Sequence, residues 1–282
     1  MVTIEQLDFR YPKSSKLFDS LDLNLEKGNI YGLLGKNGAG KSTLLKIMNG
    51  LLYAQKGKVE LFDIGIEKRL PKTLKEIFFL PEEIYLPDFT ISQYIELHSP
   101  FYDRFDKNQM MELLREFEVD GQGKLKNMSH GQKKKFVIAF ALATNCSLIL
   151  MDEPTNGLDI PSKSKFRKIV ASVIDENRSI FISTHQVRDL ENLIDPVIII
   201  ENGKIIFNHS IAEISSSLEF HKIGNGEPTP ENVIYSEDMF GGKNILSANS
   251  NGNDTQIDFE LLFNAILNKQ NILLNKLKPI KP

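Results

Sequence analysis

The sequence predicts an α/β fold with a parallel sheet, an N-terminal antiparallel β-subdomain, a helical insertion and a small C-terminal extension. Leu148–Met151 is a run without a polar residue, as expected of a strand buried on both faces of a parallel sheet. Strand and helix signals alternate on both sides of this run, which favours helices on both faces of the sheet. From about residue 86 to residue 145, apolar residues recur at helical spacing, which indicates the insertion.

The composition is that of an ordinary globular protein. The chain has 282 residues, 41% hydrophobic and 25% charged, which allows one elaborated domain or two. A net charge of −3 argues against a basic surface for nucleic acid. The single cysteine, Cys146, excludes an internal disulfide and is expected to pack in the core. No apolar run reaches the length of about 20 residues that a membrane-spanning helix needs. The N-terminus lacks the pattern of a signal peptide. We therefore expect a cytoplasmic protein whose membrane span, if any, belongs to another chain.

The N-terminal segment predicts strands around one helix. Leu21–Leu25 alternates apolar and polar residues at period two, as a half-buried strand does. Gly28 breaks the chain, and an apolar strand follows at Ile30–Leu34. Thr43–Asn49 predicts a helix, and Lys58–Phe62 predicts the next strand.

The insertion predicts three helices. Ile91–His98 and Met110–Phe117 carry apolar residues at helical spacing, and a third helix begins near Ser129. The basic run Lys133–Lys135 on that third helix predicts a solvated helix face.

After the insertion, the sequence predicts a strand, a helix, a strand and a hairpin with the turn Asn202-Gly203. These segments are Leu148–Met151, Phe166–Ile174, Ser179–Ser183, and Val197–Ile200 with Lys204–Phe207. We expect the first domain to span residues 1–215.

Residues 216–282 predict a small α+β extension. Glu227–Pro230 predicts a linker, and Gly241-Gly242 and Asn249–Asp254 predict turns between short strands. Phe259–Asn268 predicts an amphipathic helix that docks on the core or on a second subunit. The core is favoured because exposed apolar stripes are unusual. Lys276–Pro282 is expected to be frayed.

Gly35–Ser42 fits the phosphate-loop pattern of a glycine, four residues, a glycine, a lysine and a serine or threonine. Glycines let the backbone approach a triphosphate closely, and the helix that begins near Lys41 presents unpaired N–H groups. Lys41 adds a full charge at the β- and γ-phosphates, and the Ser42 hydroxyl can ligate Mg²⁺. The alternatives are a plain glycine-rich turn and a dinucleotide-binding loop. The lysine–serine ending between a strand and a helix favours a P-loop NTPase core that binds ATP. The predicted nucleotide-binding residues here are Gly35, Asn37, Gly38, Ala39, Gly40, Lys41, Ser42 and Thr43.

Asp152 and Glu153 directly follow the buried strand. The carboxyl ends of such strands form the ligand crevice of an open α/β sheet. Asp152 is therefore a candidate Mg²⁺ ligand, and Glu153 is placed to orient and polarise the attacking water in phosphoryl transfer. Alone, the pair is more simply an acidic turn; together with the phosphate loop it predicts an ATPase site.

Another motif, Met128-Ser129-His130-Gly131-Gln132, resembles the signature loop of the ATPase subunits of ABC transporters, which is usually Leu-Ser-Gly-Gly-Gln. Over residues 1–215, further motifs resemble those of the family and follow its order. They are Tyr11 at the position of the adenine-stacking aromatic residue, Glu82 at the Q-loop position, Gly157-Leu158-Asp159 as the D-loop and His185 as the switch histidine. Tyr11 fits equally well as an aromatic that packs on the sheet.

The resemblance implies an ATP-hydrolysing subunit that works as a homodimer. Two copies would sandwich two ATP molecules head to tail, so that the signature loop of one copy meets the γ-phosphate bound by the other. It implies further nucleotide contacts from Tyr11, Ser129, Gly131, Gln132 and Asp159, catalytic roles for Lys41, Glu153 and His185, and Mg²⁺ bound by Ser42, Glu82 and Asp152.

Two residues depart from the family's pattern. His130 replaces the first of the paired glycines and places a side chain in the loop. Glu82 replaces a glutamine, and its carboxylate can accept hydrogen bonds or help to bind Mg²⁺ but cannot donate. We expect ATP turnover nevertheless, since the phosphate-loop, acidic and switch residues are all present.

The resemblance implies one ATPase subunit of a membrane transporter, peripheral on the inner face of the cell membrane, with a separate transmembrane permease. The helical insertion would contact the permease, and its groove would accept a short coupling helix. The compact domain resembles the exporter branch. The alternatives are a soluble ABC-type protein acting on ribosomes or DNA, and a regulatory nucleotide switch without turnover. The first usually has two ATPase units or a long coiled-coil insertion, so no nucleic-acid partner is expected.

Overall fold

The computed structural model describes residues 1–121, 123–230, 232–249 and 255–274. Over these residues, the strands are β1 (Val2–Phe9), β2 (Phe18–Leu25), β3 (Ile30–Leu34), β4 (Lys56–Leu61), β5 (Ile64–Gly65), β6 (Ile77–Leu80), β7 (Leu148–Asp152), β8 (Ser179–Thr184), β9 (Val197–Glu201), β10 (Lys204–His209), β11 (Leu218–Gly224), β12 (Val233–Met239) and β13 (Gly242–Ala248). The α-helices are α1 (Lys41–Met48), α2 (Pro71–Leu74), α3 (Ile91–His98), α4 (Lys107–Glu116), α5 (His130–Ala143), α6 (Ile160–Ser172), α7 (Ile211–Ser217) and α8 (Phe259–Leu274). In this part of the chain, no helix has both the length and the apolar character needed to span a membrane.

The central sheet has six strands in the order β10-β9-β3-β8-β7-β6. All of its neighbouring strands run parallel except β10, which pairs antiparallel with β9. Every residue of β3, β7 and β8 is buried, as expected where both faces of a parallel sheet are covered. The register places Leu34 beside Thr184 and Ser183 beside Asp152. The segments that follow these three strands therefore meet at one edge of the sheet.

A second sheet, antiparallel and in the order β2-β1-β4-β5, confirms the predicted N-terminal β-subdomain. Its strand β2 buries Leu21, Leu23 and Leu25 on one face. These leucines share a hydrophobic core with α1 and with central-sheet side chains such as Leu33 and Phe181. The phosphate-loop helix α1 therefore shares one core with both sheets.

The helical insertion between β6 and β7 contains α3, α4 and α5. Helix α3 begins at Thr90, whose side chain forms a capping box with Gln93. Helix α5 packs against α4 and β6, and every residue from Phe136 to Ala143 is buried. Cys146 follows in the core, as predicted, and its burial raises the pKa of the thiol to about 12. The insertion is thus anchored through α5, which returns the chain to the central sheet.

The C-terminal extension forms a three-stranded antiparallel sheet in the order β11-β13-β12, with α8 packed on β12 and β13. The helix is buried through Leu262, Ala265 and Ile266, which join the main core, so it docks on its own chain. Glu227–Pro230 joins the strands β11 and β12 of this sheet and does not link two domains. The sequence could not show this, because both strands pair with β13, which comes later in the chain. Of the other predictions, the turn at Gly241-Gly242 is present, most of Asn249–Asp254 lies outside the described residues, and so does Lys276–Pro282.

The hairpin between β9 and β10 confirms the turn predicted at Asn202-Gly203. Both residues have positive φ, 48° and 72°, as a two-residue type I′ turn requires. A Cβ atom at position 203 would lie 1.6 Å from the carbonyl oxygen of Leu17, so only glycine fits there. The turn therefore packs against the segment that leads into β2.

Candidate functional site

The phosphate loop runs from the buried strand β3 to α1. Gly38 and Gly40 have φ of +83° and +108°, which side chains rarely adopt. A Cβ atom on Gly40 would lie 2.6 Å from the ring of Phe18, so the loop also needs glycine for space. No side chain caps α1, and its first turn contains no acidic residue. Its first N–H groups and the positive end of the helix dipole therefore favour an anion at the loop.

Lys41 is buried inside the loop with its amino group held by backbone oxygens. Its Nζ donates to the carbonyl oxygen of Gly35 at 2.7 Å and to that of Lys36 at 3.3 Å. Oε1 of Glu153 lies 3.7 Å away. Burial lowers the pKa of Lys41, and the negative charges of Glu153 and Asp152 act in the opposite direction. Phosphate oxygens that displaced these carbonyls would receive a preorganised cation.

Glu153 follows β7 and is held by residues at the end of the neighbouring strand β8. Oε1 accepts a hydrogen bond from Nδ1 of His185 at 2.8 Å, and Oε2 accepts one from Oγ1 of Thr184 at 3.1 Å. Its backbone N–H donates to the carbonyl oxygen of Ser183 at 3.1 Å. Glu153 also has φ of +47°, a left-handed conformation that costs about 1–3 kcal/mol in a residue with a side chain. The surrounding bonds therefore fix the carboxylate where the backbone alone would not place it.

Asp152 lies behind this carboxylate, almost fully buried, and its Oδ1 accepts a hydrogen bond from Oγ of Ser183 at 2.5 Å. Ser42, Glu82 and Asp152 line one groove of about 820 Å³ beside the phosphate loop. Their donors are all oxygen, which suits Mg²⁺. Among the described residues, no three His, Cys, Asp or Glu side chains form a group that could hold a metal ion. A magnesium ion here would therefore depend on the Ser42 hydroxyl, these carboxylates, water and phosphate oxygens.

A cleft of about 720 Å³ collects most of the predicted site residues. Those that line it are Tyr11, Asn37, Gly38, Gly40, Lys41, Ser42, Thr43, Glu82, Glu153 and His185. Sequence reasoning did not single out Asn156 or residues 14–17, which also line it. Tyr11 is 39% exposed and its hydroxyl lies 3.0 Å from that of Thr43. Its ring meets Phe9 edge-on at 5.0 Å. Tyr11 thus lies in the cleft wall and also packs on a strand aromatic.

The other predicted residues lie outside the cleft. Gly35 accepts the bond from Lys41, and Ala39 is buried in the core beside α1. Asp159 caps α6, since its Oδ1 accepts from the N–H of Ser162 at 2.8 Å, and this hydrogen bond lowers the pKa of the Asp159 carboxyl.

The segment that resembles a signature loop begins α5. Oγ of Ser129 accepts from the N–H of Gln132, and Oε1 of Gln132 accepts from the N–H of Ser129, each at 3.2 Å. Both side chains are exposed and neither lines the cleft of their own chain. Gly131 lies close to the carbonyl oxygen of Gly157, since a Cβ atom on Gly131 would be 3.3 Å from it. The loop therefore presents a capped helix start outward and rests on the segment after Glu153.

Comparison with known proteins identifies the family. Residues 18–156 match the family model described as ABC transporter. The chain is 33% identical over 215 residues to the bacitracin transport ATP-binding protein BcrA of Bacillus licheniformis, which covers 73% of this chain and 70% of that protein. It is 30% identical over 240 residues to the ABC transporter ATP-binding protein YtrB of Bacillus subtilis, which covers 84% of this chain and 80% of that protein. The chain belongs to the ABC transporter family.

Solved ABC cassettes share the fold. A dimeric bacterial ABC transporter cassette has a TM-score of 0.66 and 22% identity, covering 74% of this chain and 98% of that chain. A cassette described as a dimeric post-hydrolysis state bound to ADP and Pi has the same TM-score, with 23% identity and the same coverage. The P-loop NTPase core is therefore confirmed, and as an ABC family member the chain is an ATPase.

The two departures from the ABC pattern have specific contacts. Oε1 of Glu82 accepts a hydrogen bond from Nδ2 of Asn156 at 3.0 Å. The His130 ring lies over Gly157, where a Cβ atom would be 2.8 Å from Cδ2 of the imidazole. Glu82 thus acts here as an acceptor, as expected, and the His130 side chain packs on the D-loop glycine.

For this ABC ATPase, the prediction of a solvated face for the basic run Lys133–Lys135 was wrong at its middle residue. Lys134 does not lie on a solvated helix face; it is 0% exposed. Its Nζ donates to the carbonyl oxygen of Glu82 at 3.1 Å and to that of Glu153 at 3.0 Å. Burial lowers the pKa of Lys134, and the charges of Glu82, Asp152 and Glu153 oppose this. The only sequence signal was spacing, since position 134 lies one helical turn before the buried Val137 and Ile138.

Proposed function

We propose that this ABC protein binds and hydrolyses ATP with Mg²⁺, as one of two identical subunits that sandwich the nucleotide and energise an exporter. The observation that carries the proposal is the position of Glu153. Glu153 follows β7, and its carboxylate is held by His185 and Thr184 at the end of β8, with Oε1 3.7 Å from Nζ of Lys41. Phosphoryl transfer depends mainly on positioning and electrostatics, and this arrangement supplies both.

The residues divide the chemistry among them. The phosphate loop and Lys41 bind the β- and γ-phosphates of the substrate ATP, and Tyr11 lies where it can contact the base. Ser42 and Asp152, with Glu82, hold Mg²⁺, which supplies a positive charge to the phosphate oxygens when bound. Glu153 orients the attacking water, and His185 contacts the γ-phosphate from the same subunit.

The dimer completes the site. The cleft beside the phosphate loop is lined by its own chain on one side, and the exposed Ser129 and Gln132 lie outside it. In a head-to-tail dimer, these residues and Gly131 meet the γ-phosphate bound by the other copy, and Asp159 lies in the segment near that contact. Loss of the shared phosphate after hydrolysis then lets the dimer open.

The permease is a separate membrane protein that docks on the groove of about 820 Å³. Tyr102 of the insertion lines this groove together with core residues, and its wall includes Leu51, Phe79 and the strongly exposed Tyr85. It shares Ser42 and Glu82 with the nucleotide cleft. A short permease helix fits such a groove. We propose on this basis that the subunit is peripheral on the inner face of the membrane.

The exporter assignment is supported by two relatives named for related tasks. BcrA is named for bacitracin transport, and SkfE of Bacillus subtilis, 30% identical over 213 residues, is named for SkfA peptide export. The match covers 72% of this chain and 87% of SkfE. We propose a peptide-like cargo on this basis.

The test compares wild type with Glu153→Gln, and Lys41→Ala serves as the control. Glu153→Gln should form a stable dimer with ATP in size-exclusion chromatography, wild type should hydrolyse ATP and dimerise only transiently, and Lys41→Ala should do neither. A wild type that stays dimeric with ATP and releases no phosphate would favour the regulatory switch instead. Co-purification of a protein with several membrane spans tests the permease directly.

A further inference from the structure

Lys134 is a buried cation that has no role in the hydrolysis proposed above. It lies in the second turn of α5, is 0% exposed and does not line the nucleotide cleft. Placing an ammonium group in the protein interior costs several kcal/mol unless it is hydrogen-bonded and neutralised. A packing role would be met by an uncharged side chain of similar length without that cost. The cation therefore has to be explained by what its amino group contacts.

The two carbonyl groups it binds belong to separate segments of the active site. The Glu82 carbonyl follows β6, and the Glu153 carbonyl follows β7. The side chains of the same two residues line the nucleotide cleft. Glu82 also lines the groove assigned to the permease. Lys134 thus connects the backbones of two residues whose side chains line the nucleotide cleft.

The other end of the connection is the start of α5. Ser129 caps this helix, and Lys134 follows after little more than one turn. Beyond Lys134 the helix is buried from Phe136 to Ala143. Ser129 and Lys134 belong to the same capped helix, little more than one turn apart, so we expect a displacement of Ser129 to reach the Lys134 amino group. The same movement then bears on the carbonyl groups of Glu82 and Glu153.

We propose that Lys134 is a positioning residue that couples the start of α5 to the catalytic carboxylate of its own chain. When the loop at Ser129 engages the nucleotide of the second copy, Lys134 sets the backbone of Glu153 and Glu82 for hydrolysis. The inference rests on the proposed ATP-bound dimer, and it adds to that proposal the residue through which one site senses the other.

The test uses Lys134→Met in the full chain, since methionine keeps an unbranched side chain of similar length but has no donor. The affinity of the monomer for ATP should stay within about twofold, because the phosphate loop is untouched. The turnover number should fall about tenfold, the size of a typical coupling between sites. The Hill coefficient for ATP should fall from about 2 to about 1, since each site then works alone.

The matched control is Ile138→Ala, one turn further along the same buried face of α5. It should lower the melting temperature by creating a cavity, yet keep the wild-type Hill coefficient. If Lys134→Met is too unstable to assay, Lys134→Gln, which retains an amide donor, replaces it, and turnover and the Hill coefficient should fall by a smaller amount.

Three outcomes overturn the inference. Lys134→Met with wild-type turnover and Hill coefficient leaves Lys134 without a coupling role. A lower melting temperature with the wild-type Hill coefficient, as expected for Ile138→Ala, makes it a packing residue. A wild type with a Hill coefficient of about 1 and no ATP-dependent dimer removes the proposed dimer itself, and the inference with it. Only the third result also counts against the proposed function.

Discussion

Nδ1 of His185 donates a hydrogen bond of 2.8 Å to Oε1 of Glu153, and this bond joins the end of β8 to the end of β7. Nε2 of the same ring faces the side-chain amide of Gln186 at 3.5 Å. Glu153 would therefore have to exchange His185 for the attacking water, or share its oxygens between the two. The two residues form one hydrogen-bonded pair, and each of its members and supporting contacts can be substituted separately.

Replacing His185 by alanine should lower turnover much more than ATP affinity. The ring contacts Glu153, while the phosphate loop keeps its own N–H groups and Lys41. We expect the turnover number to fall by about 100-fold or more, as for loss of a group acting in proton transfer or positioning. Steady-state phosphate release and equilibrium ATP binding measure the two effects. Gln186→Ala is the control, and an equal loss of ATP affinity in His185→Ala would contradict the prediction.

Thr184→Val should weaken catalysis through the orientation of Glu153. The valine has nearly the same shape but cannot donate to Oε2, and a hydrogen bond to a charged group contributes about 1.5–3 kcal/mol. We expect a fall in turnover of about tenfold or more with little change in ATP affinity. Thr184→Ser keeps the hydroxyl and should retain most of the activity. Equal activities of the valine and serine variants would show that the bond does not matter.

Gly40→Ala should be more harmful than Gly38→Ala, although both residues have positive φ. A side chain at such a position costs about 1 kcal/mol or more in either case. At Gly40 the new Cβ would also lie 2.6 Å from the Phe18 ring, whereas nothing lies within 4 Å of it at Gly38. Melting temperatures of the two variants, measured without nucleotide, test the difference. The same melting temperature for both would mean that Phe18 moves aside at no cost.

His209 should make the folded chain less stable in mild acid. It is 2% exposed, and burial lowers its pKa below the ordinary value of 6.5, although its hydrogen bond with Glu213 opposes this. The unfolded chain then takes up a proton that the folded chain does not. The contribution of His209 is complete above pH 6.5, decreases as the pH falls through 6.5, and is lost below the folded-state pKa.

Urea unfolding of wild type and His209→Gln between neutral and mildly acidic pH tests this. The wild-type free energy of unfolding should fall more steeply with decreasing pH, by up to about 1.4 kcal/mol per pH unit for one proton. Parallel curves for the two proteins would contradict it.

Local rules were sufficient for much of the fold and the cleft. Gly35–Ser42 matches a pattern whose glycines, lysine and serine are each required by a phosphate loop, so these residues alone predict it. Asn202-Gly203 predicts its own turn, because both residue types adopt positive φ readily. Runs without a polar residue, such as Leu148–Met151, predict buried strands by composition alone. In each case the signal and the structure lie within a few residues of each other.

Pairings distant in sequence could not be predicted. The sequence predicts a strand at Ser179–Ser183, directly before Thr184, but not that this strand lies beside β7, so the bond from Thr184 to Glu153 was missed. Lys134 belongs to a basic run typical of a solvent-exposed face, and only the packing of α5 against β6 and α4 decides that it points inward. Thr184 donates to the carboxylate of Glu153 and Lys134 to its backbone carbonyl, from elements that lie later and earlier in the chain.

Helix α8 packs against the short turn Val187–Leu190, which begins two residues after His185, and an ion pair between Arg188 and Glu260 joins the two. Leu190 is fully buried in the same core as Leu262. A truncated chain ending near residue 215 would lose this support, so the expected domain boundary is a poor place to shorten the protein for biochemistry. A molecule that binds the C-terminal extension would therefore act two residues from His185, at a distance from the cleft itself.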